Sequence, residues 1–115
     1  MDANTTFDYC GGITPSDAVA TLCEAYNKRF VPHVFGPVVN YSASLHVAAA
    51  HASCDLIEFA VYADDIDDPG RYVASPYIAN QEDVYVQDGG VIEPPETPGL
   101  GLEVDEALLE DYRTA

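Results

Sequence analysis

The sequence predicts an α/β chain in which parallel strands are joined by helical crossovers. Three observations carry this. A stretch of helical spacing is followed by a β-rich run, "FVP". A second helical stretch follows, and then a largely apolar run, "DLIEFAVY". The order loop, helix, strand, helix, strand over residues 11–60 suits strands that run the same way, because a parallel pair needs a long crossover between its members.

The first element is a glycine loop leading into a helix, "GGITPSDAVATLCEAYNKRF". Thr14 is the expected N-cap and Pro15 the first helical residue, where a missing N–H costs nothing. Ala18, Val19, Leu22, Cys23 and Tyr26 recur at helical spacing and predict the buried face. Lys28 and Arg29 are expected to close the helix, where cations suit the negative end of its dipole. The strand "FVP" ends at Pro32, with His33 immediately after it. The second helix covers "VVNYSASLHVAAAHA", with Val38, Tyr41, Leu45, Ala48 and Ala49 on one side. Its alanines permit close packing. "DLIEFAVY" then reads as a buried strand.

Beyond this the pattern changes. "ADDIDDPGRYVASPYIANQED" has no clear period. "VYVQDGGVI" reads as a short hairpin around Asp88-Gly89-Gly90. "PPETPGLGLEV" is turn-rich, and "DEALLEDYR" is a short terminal helix capped by Asp105.

The charge balance is extreme. Twenty Asp and Glu stand against 4 Lys and Arg, for a formal net charge of -16. Such a chain repels nucleic acid and anionic membranes. The acids are spread along the chain rather than gathered in a tail, which suits a protein kept soluble in concentrated salt, where screening weakens self-repulsion. Apolar residues make up 48% of the chain, enough for one globular core. No basic-then-apolar leader opens the sequence and no run is long enough to span a bilayer, so a cytoplasmic location is expected. Cys10, Cys23 and Cys54 are odd in number and widely spaced, which is neither a disulfide framework nor a zinc pair, and they read as small buried thiols. His46 and His51 are five residues apart, off the spacing of a helical metal pair, and are read as structural. By spacing alone, His33 is open to two readings: a loop histidine or a reactive imidazole at a strand end.

Five motifs in order decide between them. "CGGIT", "PHVFG", "SASLHVAAA", the acid of "DLIEF" and "DGGVIEPPETPGLGLEVDE" together resemble the C-terminal part of the mandelate racemase and muconate-lactonizing branch of the enolase superfamily. The resemblance implies the C-terminal portion of a (β/α) barrel, with its last strands and helices and a C-terminal tail. Residues 1–60 would form the partial barrel. Residues 61–115 would form the last barrel helix region and a tail packing toward a capping domain. It implies a fragment of a magnesium-dependent lyase that abstracts the proton next to a carboxylate and most resembles the sugar-acid dehydratases. A racemase or epimerase, or a non-catalytic subunit needing a partner chain, are the alternatives. The implied partner is a small sugar acid. The chain alone is expected to be inactive, and to need the rest of the barrel or self-association. The metal ligands of such enzymes would lie on earlier strands, outside this chain.

His33 matches the family's histidine, a general base or an acid toward a departing hydroxyl. An imidazole titrates near working pH and suits either task. Glu58 matches the acid at the end of the last barrel strand, expected to be buried, to be protonated or act through a shared proton, and to be turned toward the substrate carboxylate. His33 and Glu58 are thus expected at the same mouth, on neighbouring parallel strands. One departure stands out. The aspartate that usually pairs with the histidine has Thr6 at its position here, with Asp2, Asn4 and Asp8 nearby but out of register. The strand leading into the glycine loop is expected to be largely missing.

Overall fold

A computed structural model describes residues 3–6, 10–60 and 75–114, with residues 3–6 described by their backbone. The chain begins with a strand after all. β1 (Ala3–Thr6) pairs in parallel with β2 (Phe30–His33), in the register Ala3 with Phe30 through Thr6 with His33. The strand expected to be missing is therefore present, four residues long. Between them runs α1 (Ile13–Ala25), and after β2 comes α2 (Val38–Ala50). A short 3-10 turn (Gln81–Val84) and the terminal α3 (Glu106–Asp111) complete the described elements.

The start of α1 differs from the expected cap. Gly12 is the N-cap, with φ 95° and ψ -155°, a backbone conformation that glycine adopts without steric cost. Thr14 and Pro15 lie inside the first turn. The first amide to bond back along the helix is that of Ser16, to the Gly12 carbonyl at 3.2 Å, so Pro15 still forfeits nothing. The far end is closed by Asn27 at φ 50°, while the Lys28 amide reaches back to the Cys23 carbonyl at 2.7 Å. This is the left-handed closure that asparagine tolerates. Lys28 and Arg29 therefore follow the helix instead of ending it. The buried stripe of α1 is Ser16, Ala20 and Cys23, with Val19 half-buried; Ala18, Leu22 and Tyr26 are exposed. Cys23 and Val19 thus face the core as expected, whereas Ala18, Leu22 and Tyr26 do not, because α1 packs mainly small residues against its neighbours.

α2 is buried on more than one side. Ala43 and Val47 pack with Ala20, Cys23 and Phe30, while Val38, Tyr41 and Leu45 pack with Val34, Ile78 and Val84. The helix therefore separates two apolar clusters, one shared with α1 and β2 and one with the C-terminal tail. Ala49 is exposed, against the expectation. Small polar residues on α2 are satisfied locally or by the tail. Ser44 Oγ donates to the Asn40 carbonyl at 2.9 Å, and Ser42 Oγ donates to the Leu100 carbonyl at 2.7 Å. The Val38 amide donates to Ser75 Oγ at 3.3 Å, an N-terminal cap supplied from distant sequence.

Residues 55–60 do not form a strand. The remainder of the expected run "DLIEFAVY", Val61 and Tyr62, lies outside the described residues, as does most of the irregular segment after it. The tail folds on itself through the Asn80 side chain. Its Nδ2 donates to the Gly101 carbonyl at 2.8 Å, and its Oδ1 accepts from the Glu103 amide at 2.7 Å. Asp88-Gly89-Gly90 close a turn, with one antiparallel bridge between Gln87 and Val91. Asp105 caps α3, accepting from the Ala107 and Leu108 amides at 3.0 Å each.

Candidate active site

His33 is the last residue of β2, the end at which a parallel barrel collects its reactive groups. Pro32 fixes the backbone just before it and is fully buried, as are Phe30 and Val34 within 2%. The imidazole is thereby aimed from a rigid base, while its side chain is 45% exposed. Glu58 approaches from the irregular stretch 55–60, and its Oε2 meets His33 Nδ1. The two groups therefore share one end of the molecule.

The segment carrying Glu58 is braced from behind. Tyr41 of α2 packs edge-on against Phe59 with ring centroids 5.2 Å apart, and Phe59 packs against Tyr85 at 5.8 Å. Phe59 is partly buried against this cluster, while Glu58 beside it meets the imidazole. Glu58 is not the buried acid that was expected. Its side chain is 40% exposed and it faces the imidazole.

The contact has a chemical consequence. An ionised carboxylate only accepts hydrogen bonds, so a neutral His33 beside one would donate from Nδ1 and keep the lone pair on Nε2. That is the arrangement in which a carboxylate orients an imidazole as a base. Thr6, the residue expected to replace an aspartate partner, is the backbone register partner of His33. Asn4 pairs with Val31, and Asp2 and Asp8 lie outside the described residues. A carboxylate meets the ring through Glu58.

The remaining candidates are placed elsewhere. His46 is half-buried and its Nε2 has no hydrogen-bond partner among the described residues. His51 caps the C-terminal end of α2 and bridges two acids of α1. Its Nε2 lies 3.0 Å from Asp17 Oδ1 and its Nδ1 3.4 Å from Glu24 Oε1. Its helical spacing to His46 carries no hint of this tie, which depends on how the two helices pack. Cys23 is buried. Cys10 Sγ lies 2.9 Å from Ser16 Oγ, and Cys54 Sγ donates to the Leu56 carbonyl at 3.3 Å. Burial and the neighbouring Asp55 charge push the Cys54 thiol up, away from reactivity. A groove of about 290 Å³ lies between the end of α2, residues 54–57 and the Gly90–Pro94 loop. Neither His33 nor Glu58 lines it, and its walls are mostly apolar, so it is not where proton transfer would occur.

The sequence pattern of the enolase C-terminal domain-like family matches residues 3–108. The chain belongs to that family. Among curated proteins it is similar to the D-galactonate dehydratase of Ralstonia pickettii (strain 12J), 33% identical over 108 residues, covering 88% of this chain and 25% of that protein. It is similar in the same degree to the D-galactonate dehydratase of Xanthomonas axonopodis pv. citri (strain 306), 33% identical over 106 residues and covering 89% and 26%. Among solved structures it resembles a mandelate racemase/muconate lactonizing enzyme from Sulfitobacter sp., with TM-score 0.64 and 32% identity, covering 85% of this chain and 22% of that one. A mandelate racemase/muconate lactonizing enzyme-like protein from Roseovarius sp. TM1035 gives TM-score 0.60 and 35% identity, covering 88% and 22%. The chain spans about a quarter of the length of the curated relatives it matches.

Enzymes of this superfamily generally use magnesium. Among the described residues no group of three or more His, Cys, Asp or Glu side chains is placed to hold a metal ion. The described residues of this chain thus do not fit the metal. Nor is any helix among the described residues long and apolar enough to cross a membrane.

Proposed function

We propose that this chain supplies the histidine edge of a site that removes a proton next to the carboxylate of a sugar acid, with dehydration as the net reaction. The observation that carries the reading is the contact between His33 Nδ1 and Glu58 Oε2 at the end of β2. Glu58 holds the ring and favours the Nδ1–H tautomer, and Nε2 is the atom that exchanges a proton with substrate. In a dehydration the α C–H bond breaks, its electron pair forms a double bond, and the β-hydroxyl leaves as water after accepting a proton. His33 is suited to either proton transfer, since one ring nitrogen is anchored and the other faces outward. Glu58 thereby takes the orienting task left open by Thr6.

The preference for dehydration over racemisation rests on the curated relatives, which are D-galactonate dehydratases. The other walls of the site, including the metal ligands and the substrate cap, come from further polypeptide, in the same chain or a partner. The acid excess fits a cytoplasmic protein working in concentrated salt.

Deuterium exchange in heavy water tests the reading. The 115-residue chain is assayed alone, and also grafted in place of the matching C-terminal quarter of the Ralstonia dehydratase. With D-galactonate and magnesium, the graft is expected to exchange the α-proton and release water. The His33→Asn graft is expected to lose both, and the chain alone to turn over nothing. Undiminished exchange by the His33→Asn graft would remove His33 from the chemistry.

A further inference from the structure

Residues 53–58 run alongside β2 without joining it as a strand. Three described links hold the two stretches together. The Phe30 amide donates to the Ser53 carbonyl at 2.9 Å. Arg29 grips Asp55 at two points, Nε to Oδ1 at 2.9 Å and Nη2 to Oδ2 at 3.2 Å. His33 meets Glu58. From the Phe30–Ser53 link to the His33–Glu58 link the residue numbers rise together, so the two stretches run in the same direction, while the Arg29 side chain reaches ahead to Asp55.

The spacing of these links is uneven. Arg29 and His33 are four positions apart, an even number, so an extended chain turns both to one side. Asp55 and Glu58 are three apart, and a regular strand would turn them to opposite sides. Residues 55–60 join no ladder with β2, and both pairs close across this stretch.

We infer that Arg29 and Asp55 are positioning residues whose two-point fork sets the register that brings Glu58 to His33. A slip of one residue would turn Glu58 to the other side of the chain. The planar guanidinium matches a carboxylate in one geometry, so the fork selects a register even though both side chains are well exposed and the pair adds little to stability. The functional meaning of this link rests on the reading of His33 and Glu58 as the proton-transfer pair, while the link itself does not.

Ring nitrogen NMR of His33 in the 115-residue chain tests it, with Glu58→Gln as the reference for a broken contact. Arg29→Gln and Asp55→Asn are expected to move both ring nitrogen shifts to the Glu58→Gln positions while the circular dichroism stays that of the unaltered chain. The reversed pair, R29D with D55R, is expected to restore them. Where Arg29→Gln fails to fold, Arg29→Lys is read instead. It keeps the charge but loses the fork, and its shifts are expected to move part of the way. Folded Arg29→Gln, Asp55→Asn or Arg29→Lys chains with unaltered ring shifts would overturn the inference. Unaltered shifts would leave the proposed chemistry standing, whereas a graft that is inactive with normal ring shifts would sink the chemistry and leave the fork.

Discussion

Replacing Tyr41 by Phe should stabilise this protein. Tyr41 is fully buried between α2 and the tail, and its hydroxyl has no hydrogen-bond partner among the described residues. A buried, unpaired hydroxyl costs on the order of 1–3 kcal/mol relative to water. Phenylalanine removes that cost and keeps the edge-on contact with Phe59. The lost oxygen leaves a small void, so the expected net gain is about 1–2 kcal/mol. The gain also has a pH signature. Burial holds the Tyr41 phenol well above its ordinary value of 10.0. Above pH 10 the unfolded chain releases this proton while the folded chain retains it, so the stability of the unaltered chain falls as pH rises toward the folded value. The slope from this one group is at most about 1.4 kcal/mol per pH unit. The Tyr41→Phe chain lacks that loss, so its advantage widens above pH 10, and the other tyrosines cancel in the comparison. Urea unfolding followed by circular dichroism at neutral pH and again above pH 10 measures both effects. A Tyr41→Phe chain less stable than the original at neutral pH would show that the hydroxyl has a partner, and would refute the reasoning.

Three further outcomes are expected. Gly101→Ala should destabilise the tail by about 2–4 kcal/mol, combining backbone strain with overpacking. Gly101 has φ +71°, and an added Cβ would lie 2.4 Å from Pro95; an unchanged urea midpoint would contradict this. His51→Ala removes the tie from α2 to Asp17 and Glu24 and should cost about 1–3 kcal/mol in the same assay, whereas a change within about 0.5 kcal/mol would mark the site as an ordinary surface position. With a net charge of -16, the thermal midpoint should rise as NaCl goes from about 0.1 to about 1 M and the screening length shrinks from about 10 to about 3 Å. A flat or falling midpoint would remove the salt adaptation.

Local signals were legible in the sequence. Asp105 announced its helix, the Asp88-Gly89-Gly90 turn stands where expected, and β2 ends on the histidine that its motif singled out. The features that escaped depend on contacts between distant residues. The buried face of α1 was read only in part, at Cys23 and Val19, because a small residue, Ala20, packs with them against α2 and β2 while Leu22 and Tyr26 stay exposed. The run "DLIEF" carries the composition of a strand, yet its backbone answers to Arg29 and His33, 26 and 25 residues earlier. Glu58 was legible as a site residue, but not its direction. That direction depends on contacts with distant residues, Phe59 with Tyr41 and Tyr85 and Asp55 with Arg29.

The central claim, that Glu58 orients His33 as a proton carrier, is tested most directly by the tautomer of the His33 ring. Long-range proton–nitrogen correlation at a pH where the ring is neutral should show the proton on Nδ1 in the unaltered chain and a mixture of tautomers in Glu58→Gln. A proton resting on Nε2, or the same spectrum in both chains, would contradict it.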